Sequence, residues 1–102
     1  MFKVTETNRF SKDLRLCKRR SYKISDYEKV FKQLKDNGKI NIDHKPHILS
    51  GDWQDTWECH IKGDWLLLYV YVEYEHDEND KEIYNTDFEI MLVRTGTHSD
   101  LF

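Results

Sequence analysis

Three residue types that usually mark boundaries are scarce in this 102-residue chain. Proline occurs once (Pro46), glycine four times and cysteine twice. With so few breakers, no linker or second domain is marked out, and residues 1–102 read as a single domain. Cys17 and Cys59 lie 42 positions apart and form no C-x-x-C pair. Both therefore read as reduced, inert thiols rather than a disulfide. Long hydrophobic runs are missing as well. The longest, Trp65 to Val72, has 8 residues, against the ~20 that a membrane helix needs. Met1–Glu6 lacks the apolar stretch of a secretion signal. These absences point to a cytoplasmic protein with no membrane segment. Rings are plentiful: 14% of residues are aromatic although only 38% are hydrophobic. A disordered chain is poor in such residues, so a packed core is expected.

The net charge of −3 speaks, at face value, against a nucleic-acid binder. Its distribution says otherwise. Residues 1–45 carry 13 basic and 6 acidic side chains, while residues 73–89 carry one Lys against eight acids. Without the 73–89 segment the chain is at +4. Binding to a polyanion depends on local phosphate contacts, and the basic first half suits them.

The pattern along the chain is β-α-α-β-β-β. Phe2–Glu6 alternates apolar and polar residues, as a half-buried strand does. A helix is expected over Asn8–Arg20, with Phe10, Leu14 and Cys17 on one face. A second begins at a Ser25–Glu28 capping box, continues through the stripe Tyr27, Val30, Phe31 and Leu34, and stops at Gly38. Residues 39–51 read as a loop. Strands are expected over Trp53–Ile61, Trp65–Tyr74 and Phe88–Val93, with Lys62–Asp64 as a turn and a long polar hairpin near residues 75–82. The fold class is α+β: two N-terminal helices packed on one face of a mainly antiparallel sheet.

Several side chains are suited to proton transfer. His44, His47, His60, His76 and His98 all titrate near neutrality when unperturbed. His44 and His76 read as structural or solvated residues. His60 and Asp64 flank one tight turn, an arrangement fit for a base and its partner, or for a turn Asp bonding its own backbone. Arg94 offers a planar fork to a phosphate, or a clamp within the sheet. Phe102 is placed to stack on a base or to plug the core. Metal binding is not expected: Cys59 and His60 are adjacent in a strand and point to opposite faces, and no zinc spacing is present.

Three blocks together resemble the YafQ branch of the RelE toxin superfamily. They are His47-Ile48-Leu49-Ser50-Gly51-Asp52-Trp53, then His60-Ile61-Lys62-Gly63-Asp64-Trp65 running on to Tyr69, and Arg94-Thr95-Gly96-Thr97-His98 closing in Leu101-Phe102. Phe10-Ser11-Lys12-Asp13 with its trailing basic residues is similar to that branch's first helix. The resemblance implies a RelE-like fold and the toxin of a type II toxin–antitoxin pair. Such toxins cut mRNA in the ribosomal A site without a metal or other cofactor, by attack of a ribose 2′-OH on the adjacent phosphate. It also implies a cognate antitoxin, the ribosome and mRNA as partners, and operator DNA reached through the antitoxin complex. His47, His60, Asp64 and His98 fall on the branch's catalytic positions. Phe102 falls on its terminal aromatic, and Arg94 is the candidate for phosphate charge. The division of acid and base roles stays open at this level. The acidic 73–89 hairpin is longer than the branch usually has and is expected to project away from RNA. Two other classes compete: a catalytically weak relative acting as an antitoxin-bound regulatory or DNA-binding protein, and an unrelated α+β binding module.

Overall fold

A computed structural model describes residues 1–73 and 88–102. The expected hairpin near residues 75–82, with His76, lies outside the described residues. The first strand, β1 (Lys3–Glu6), leads into α1 (Asn8–Arg19). The Thr7 side chain starts this helix by accepting the Phe10 N–H at 3.0 Å. Lys18 and Arg19 in its last turn complement the helix dipole. The second helix, α2 (Ile24–Asn37), begins one residue before the expected cap. Lys23 is its N-cap and makes no side-chain capping bond, so Ser25 lies inside the first turn and the Ser25–Glu28 box does not form. The helix stops where expected, at Gly38 in the left-handed conformation (φ 73°). A Cβ there would lie 2.7 Å from the Phe2 ring.

The region read as a loop contains structure of its own. A 3-10 turn spans Ile42–His44, strand β2 spans His47–Ile48, and a second 3-10 turn spans Gly51–Trp53. The last of these delays β3 (Trp57–Lys62) by four residues relative to the expected start. It is followed by β4 (Trp65–Glu73) and β5 (Phe88–Gly96), and α3 (His98–Leu101) closes the described chain. The sheet order is β1-β5-β4-β3-β2. Among the described residues, only the β1–β5 pair is parallel. The α+β reading holds, and the described residues contain one more strand and one more helix than the sequence pattern announced.

Alternation along β4 separates two apolar clusters. Trp65, Leu67 and Tyr69 face the helices and pack with Phe10, Cys17, Tyr27, Val30 and Leu34. Leu66 and Leu68 face the other way, where Leu101, Leu49, Trp53 and Val93 cover them. A strand covered on both faces reads as a continuous apolar run rather than an alternating one, and this accounts for Trp65–Tyr69, all buried. The face opposite α1 and α2 carries the candidate site. Among the described residues, no helix is long and apolar enough to cross a membrane.

Candidate active site

Strand register assembles the first half of the site. His47 on β2 pairs with Glu58 on β3, and on β3 Glu58 and His60 stand opposite Leu68 and Leu66 of β4. Residues two apart in a strand share a face, so Glu58 and His60 lie on the side of Leu66 and Leu68, away from the helices. His47 Nε2 is 3.3 Å from Glu58 Oε1, and its Nδ1 donates to the Lys45 carbonyl at 2.9 Å. Both ring nitrogens thus face oxygen acceptors, a set that the doubly protonated imidazole satisfies. Glu58, only 7% exposed, was missed by the sequence reading. Its signal is a carboxylate two residues before His60 on the same strand face.

The turn after β3 fixes the tautomer of His60. His60 Nδ1 donates to the Gly63 carbonyl at 2.8 Å, so in the neutral imidazole Nε2 carries the lone pair. The expected contact between His60 and Asp64 is not among the bonds of the described residues; the Gly63 backbone takes that place. Asp64 is exposed and instead borders a cavity of about 310 Å³ together with Tyr22, Lys62, Trp65 and Thr97.

The second half comes from the end of the chain. Thr97 and Asp100 form a complete capping box around α3, the motif expected at α2. Arg20, just past the end of α1, grips Asp100 through two bonds of 2.7 and 3.2 Å. That guanidinium, with help from the Thr97 N–H, holds the Asp100 carboxyl well below the usual carboxylate range. Gly96 is needed beside it, because a Cβ there would lie 2.9 Å from Asp100 Oδ2. Thus anchored, α3 buries Leu101 against Leu66 and Leu68. Phe102 does not plug the core. It remains 49% exposed, edge-on to Trp53 at 5.7 Å and against the His98 ring at 4.9 Å. His47, His60, His98 and Phe102 are therefore all associated with the side opposite α1 and α2, with the Leu66–Leu68–Leu101 cluster between the two halves.

Arg94 is engaged elsewhere. Its Nε lies 2.7 Å from Asp13 Oδ2 and its Nη2 3.3 Å from Oδ1, so its fork clamps α1 to β5. The Thr95 N–H also donates to Asp13, at 3.2 Å. Asp13 was passed over in the sequence reading; an acid placed between Phe10 and Cys17 on the apolar stripe was its signal.

Neither cysteine is suited to nucleophilic chemistry. Burial pushes the Cys59 thiol up to about 12 and raises that of Cys17 too. Among the described residues, no three His, Cys, Asp or Glu side chains are grouped to hold a metal ion.

A sequence profile of the family described as bacterial toxin of type II toxin-antitoxin system, YafQ, matches residues 2–102. The chain belongs to the YafQ family. It is 27% identical over 100 residues to the mRNA interferase toxin YafQ of Escherichia coli, covering 97% of this chain and 94% of that protein. The fold is shared with YafQ in the crystal structure of the E. coli DinJ–YafQ complex, at a TM-score of 0.75 and 24% identity, over 100% of this chain and 99% of that one. A metal-bound toxin from Helicobacter pylori matches at a TM-score of 0.74 and 30% identity, over the whole of both chains.

Proposed function

We propose that this YafQ-family chain is a toxin that cleaves mRNA in the ribosomal A site, with its own side chains moving the protons. The observation that carries the reading is the His60 tautomer. Nδ1 is spent on Gly63, so Nε2 stands as a base on the face that also holds His47 and the α3 segment. His60 Nε2 takes the proton of a ribose 2′-OH, and the freed oxygen attacks the adjacent phosphorus. The bond to the 5′-oxygen breaks, and His98 supplies the proton to that leaving oxygen. The products are a 2′,3′-cyclic phosphate and a 5′-OH end. Asp64, exposed beside the same turn, assists the His60 side of the transfer. His47, held by Glu58, contributes positive charge to the phosphate oxygens. Phe102 stacks on a substrate base. Arg94, occupied by Asp13, is left out of this scheme.

The exposed basic residues of the helices, including Arg15, Lys18, Arg19, Lys29 and Lys32, suit ribosomal RNA. The site of action is then the cytoplasm. A cognate antitoxin is the expected protein partner, by analogy with DinJ on E. coli YafQ, and operator DNA would be met through that complex.

End-mapping of mRNA in a reconstituted translation reaction tests the proposal. Cleavage at A-site codons leaving a 5′-OH, and a drop of ~10²–10⁴-fold in the His98→Ala variant, are expected. Equal cleavage by His98→Ala, or equal cutting of naked RNA without ribosomes, would overturn it.

A further inference from the structure

Strand β2 covers only two residues of β3, pairing with Trp57 and Glu58. On that edge the Thr56 carbonyl is taken by the Leu49 N–H at 2.8 Å. By the two-residue period, the carbonyls of Glu58 and then His60 face the same edge, and that of His60 lies past the end of β2. A side chain closes this gap in place of a strand: His44 Nδ1 lies 2.8 Å from the His60 carbonyl oxygen.

The rest of the connection fixes every proton in it. Gln33, on α2, accepts the Asn41 N–H through Oε1 at 2.9 Å, which orients its amide. Its Nε2 then faces His44 Nε2 at 3.3 Å. An amide NH₂ only donates, so His44 Nε2 holds a lone pair and Nδ1 carries the hydrogen given to His60. A continuous chain of bonds thus runs from α2, through the 3-10 turn, to the backbone of His60.

That backbone sits where the β3–β4 register shifts, between His60 and Lys62. At a bulge the regular ladder is interrupted and gives less restraint on where the side chain points. The His60 ring bonds the Gly63 carbonyl just beyond this irregularity, in the turn after β3. We infer that His44 is a positioning residue for His60: it restrains the carbonyl at the bulge and so aims the imidazole and preserves its Nδ1–H tautomer. Its function is specific to the reading of His60 as a proton-transfer group. A displacement of about 1 Å at such a group lowers rates by ~10²-fold.

The test compares His44→Leu, His44→Asn, Gln33→Met and His60→Ala in ribosome-dependent cleavage. Nitrogen-15 NMR of the His60 ring in the isolated toxin supplies a second readout. His44→Leu is expected to lower kcat by ~10–100-fold with KM little changed, and to shift the His60 ring from the Nδ1–H form to a tautomer mixture. His44→Asn, whose amide nitrogen replaces Nδ1 as donor, restores most of the rate. Gln33→Met, which leaves His44 intact but unoriented, gives an intermediate loss and guards against a folding defect in His44→Leu. Wild-type kcat together with an unchanged His60 ring signature in His44→Leu would overturn the inference. If His60→Ala cleaves normally, the catalytic reading fails by itself, and the ring signature still decides whether His44 positions His60.

Discussion

Asp13 on α1 and Arg94 on β5 are 81 positions apart in sequence and share a two-point ion pair, at 2.7 and 3.3 Å. The pair is largely withdrawn from water, with side-chain exposures of 10% and 18%. Removing the acid leaves a guanidinium and the Thr95 N–H without their partner. Asp13→Ala is expected to destabilise the fold by about 2–4 kcal/mol, seen as a fall in thermal midpoint of ~10–20 °C. Arg94→Lys, which loses the planar fork, should also lower the midpoint by several degrees. If Arg94→Lys instead left stability untouched and weakened only RNA cleavage, Arg94 would be a substrate residue after all.

The last two residues separate stability from activity. Leu101 is 7% exposed and Phe102 49%. Leu101→Ala opens the cluster with Leu66 and Leu68 and should cost about 2–4 kcal/mol in chemical denaturation. Phe102→Ala should change stability by less than about 1 kcal/mol. It should reduce cleavage ~10-fold or more, the effect of one lost base-stacking contact. A large stability loss in Phe102→Ala would assign that ring to the core.

The link from Arg20 to Asp100 has a defined pH signature. The carboxyl is lowered from its ordinary value of 3.8, so the folded state favours the charged form. Its contribution is fully present above that value and is lost as pH falls toward the lowered one. The stability difference between wild type and Asp100→Asn should therefore be constant from pH 7 to 5 and shrink below pH ~4, as melting curves at several pH values would show. The difference should be small, because the pair is solvent-screened. A difference that grows on acidification would contradict this coupling.

The thiols provide a simple check on the packing. Cys59 and Cys17 are both buried, and the Cys59 thiol is raised to about 12. A thiol reagent at pH 8 should find neither in the folded protein within minutes and both after denaturation. Rapid labelling of Cys59 in the native protein would mean that the sheet–helix core opens.

Elements with strong periodicity were legible before the structure. The face of α1 and the Gly38 stop of α2 follow from local spacing. The Ser25–Glu28 box failed because α2 starts earlier, at Ile24, and the true box belongs to Thr97 and Asp100. Strand β2 was invisible because two residues carry no period; it exists only by pairing with β3. The six candidate site residues could be named from sequence; strand register puts His47 and His60 on one side, and the capped α3 held by Arg20 brings His98 and Phe102 to it. Asp13, Glu58 and Gln33 were missed for a common reason. Each acts through a partner distant in sequence or in another element, and spacing along the chain says nothing about such partners.

The place of β5 between β1 and β4 has a consequence for the order in which the protein can be made. β5 follows β4 in the chain yet is the strand that β1 pairs with, so among the described residues β1 gains its strand partner only once Phe88–Gly96 has been synthesised. A nascent chain halted before Phe88 lacks the anchor of α1, the seat of β1 and the segment bearing His98 and Phe102 together. Folding by early local contacts alone cannot complete this sheet. A chain interrupted before Phe88 thus leaves β1 and α1 without the strand that joins them to the rest of the sheet.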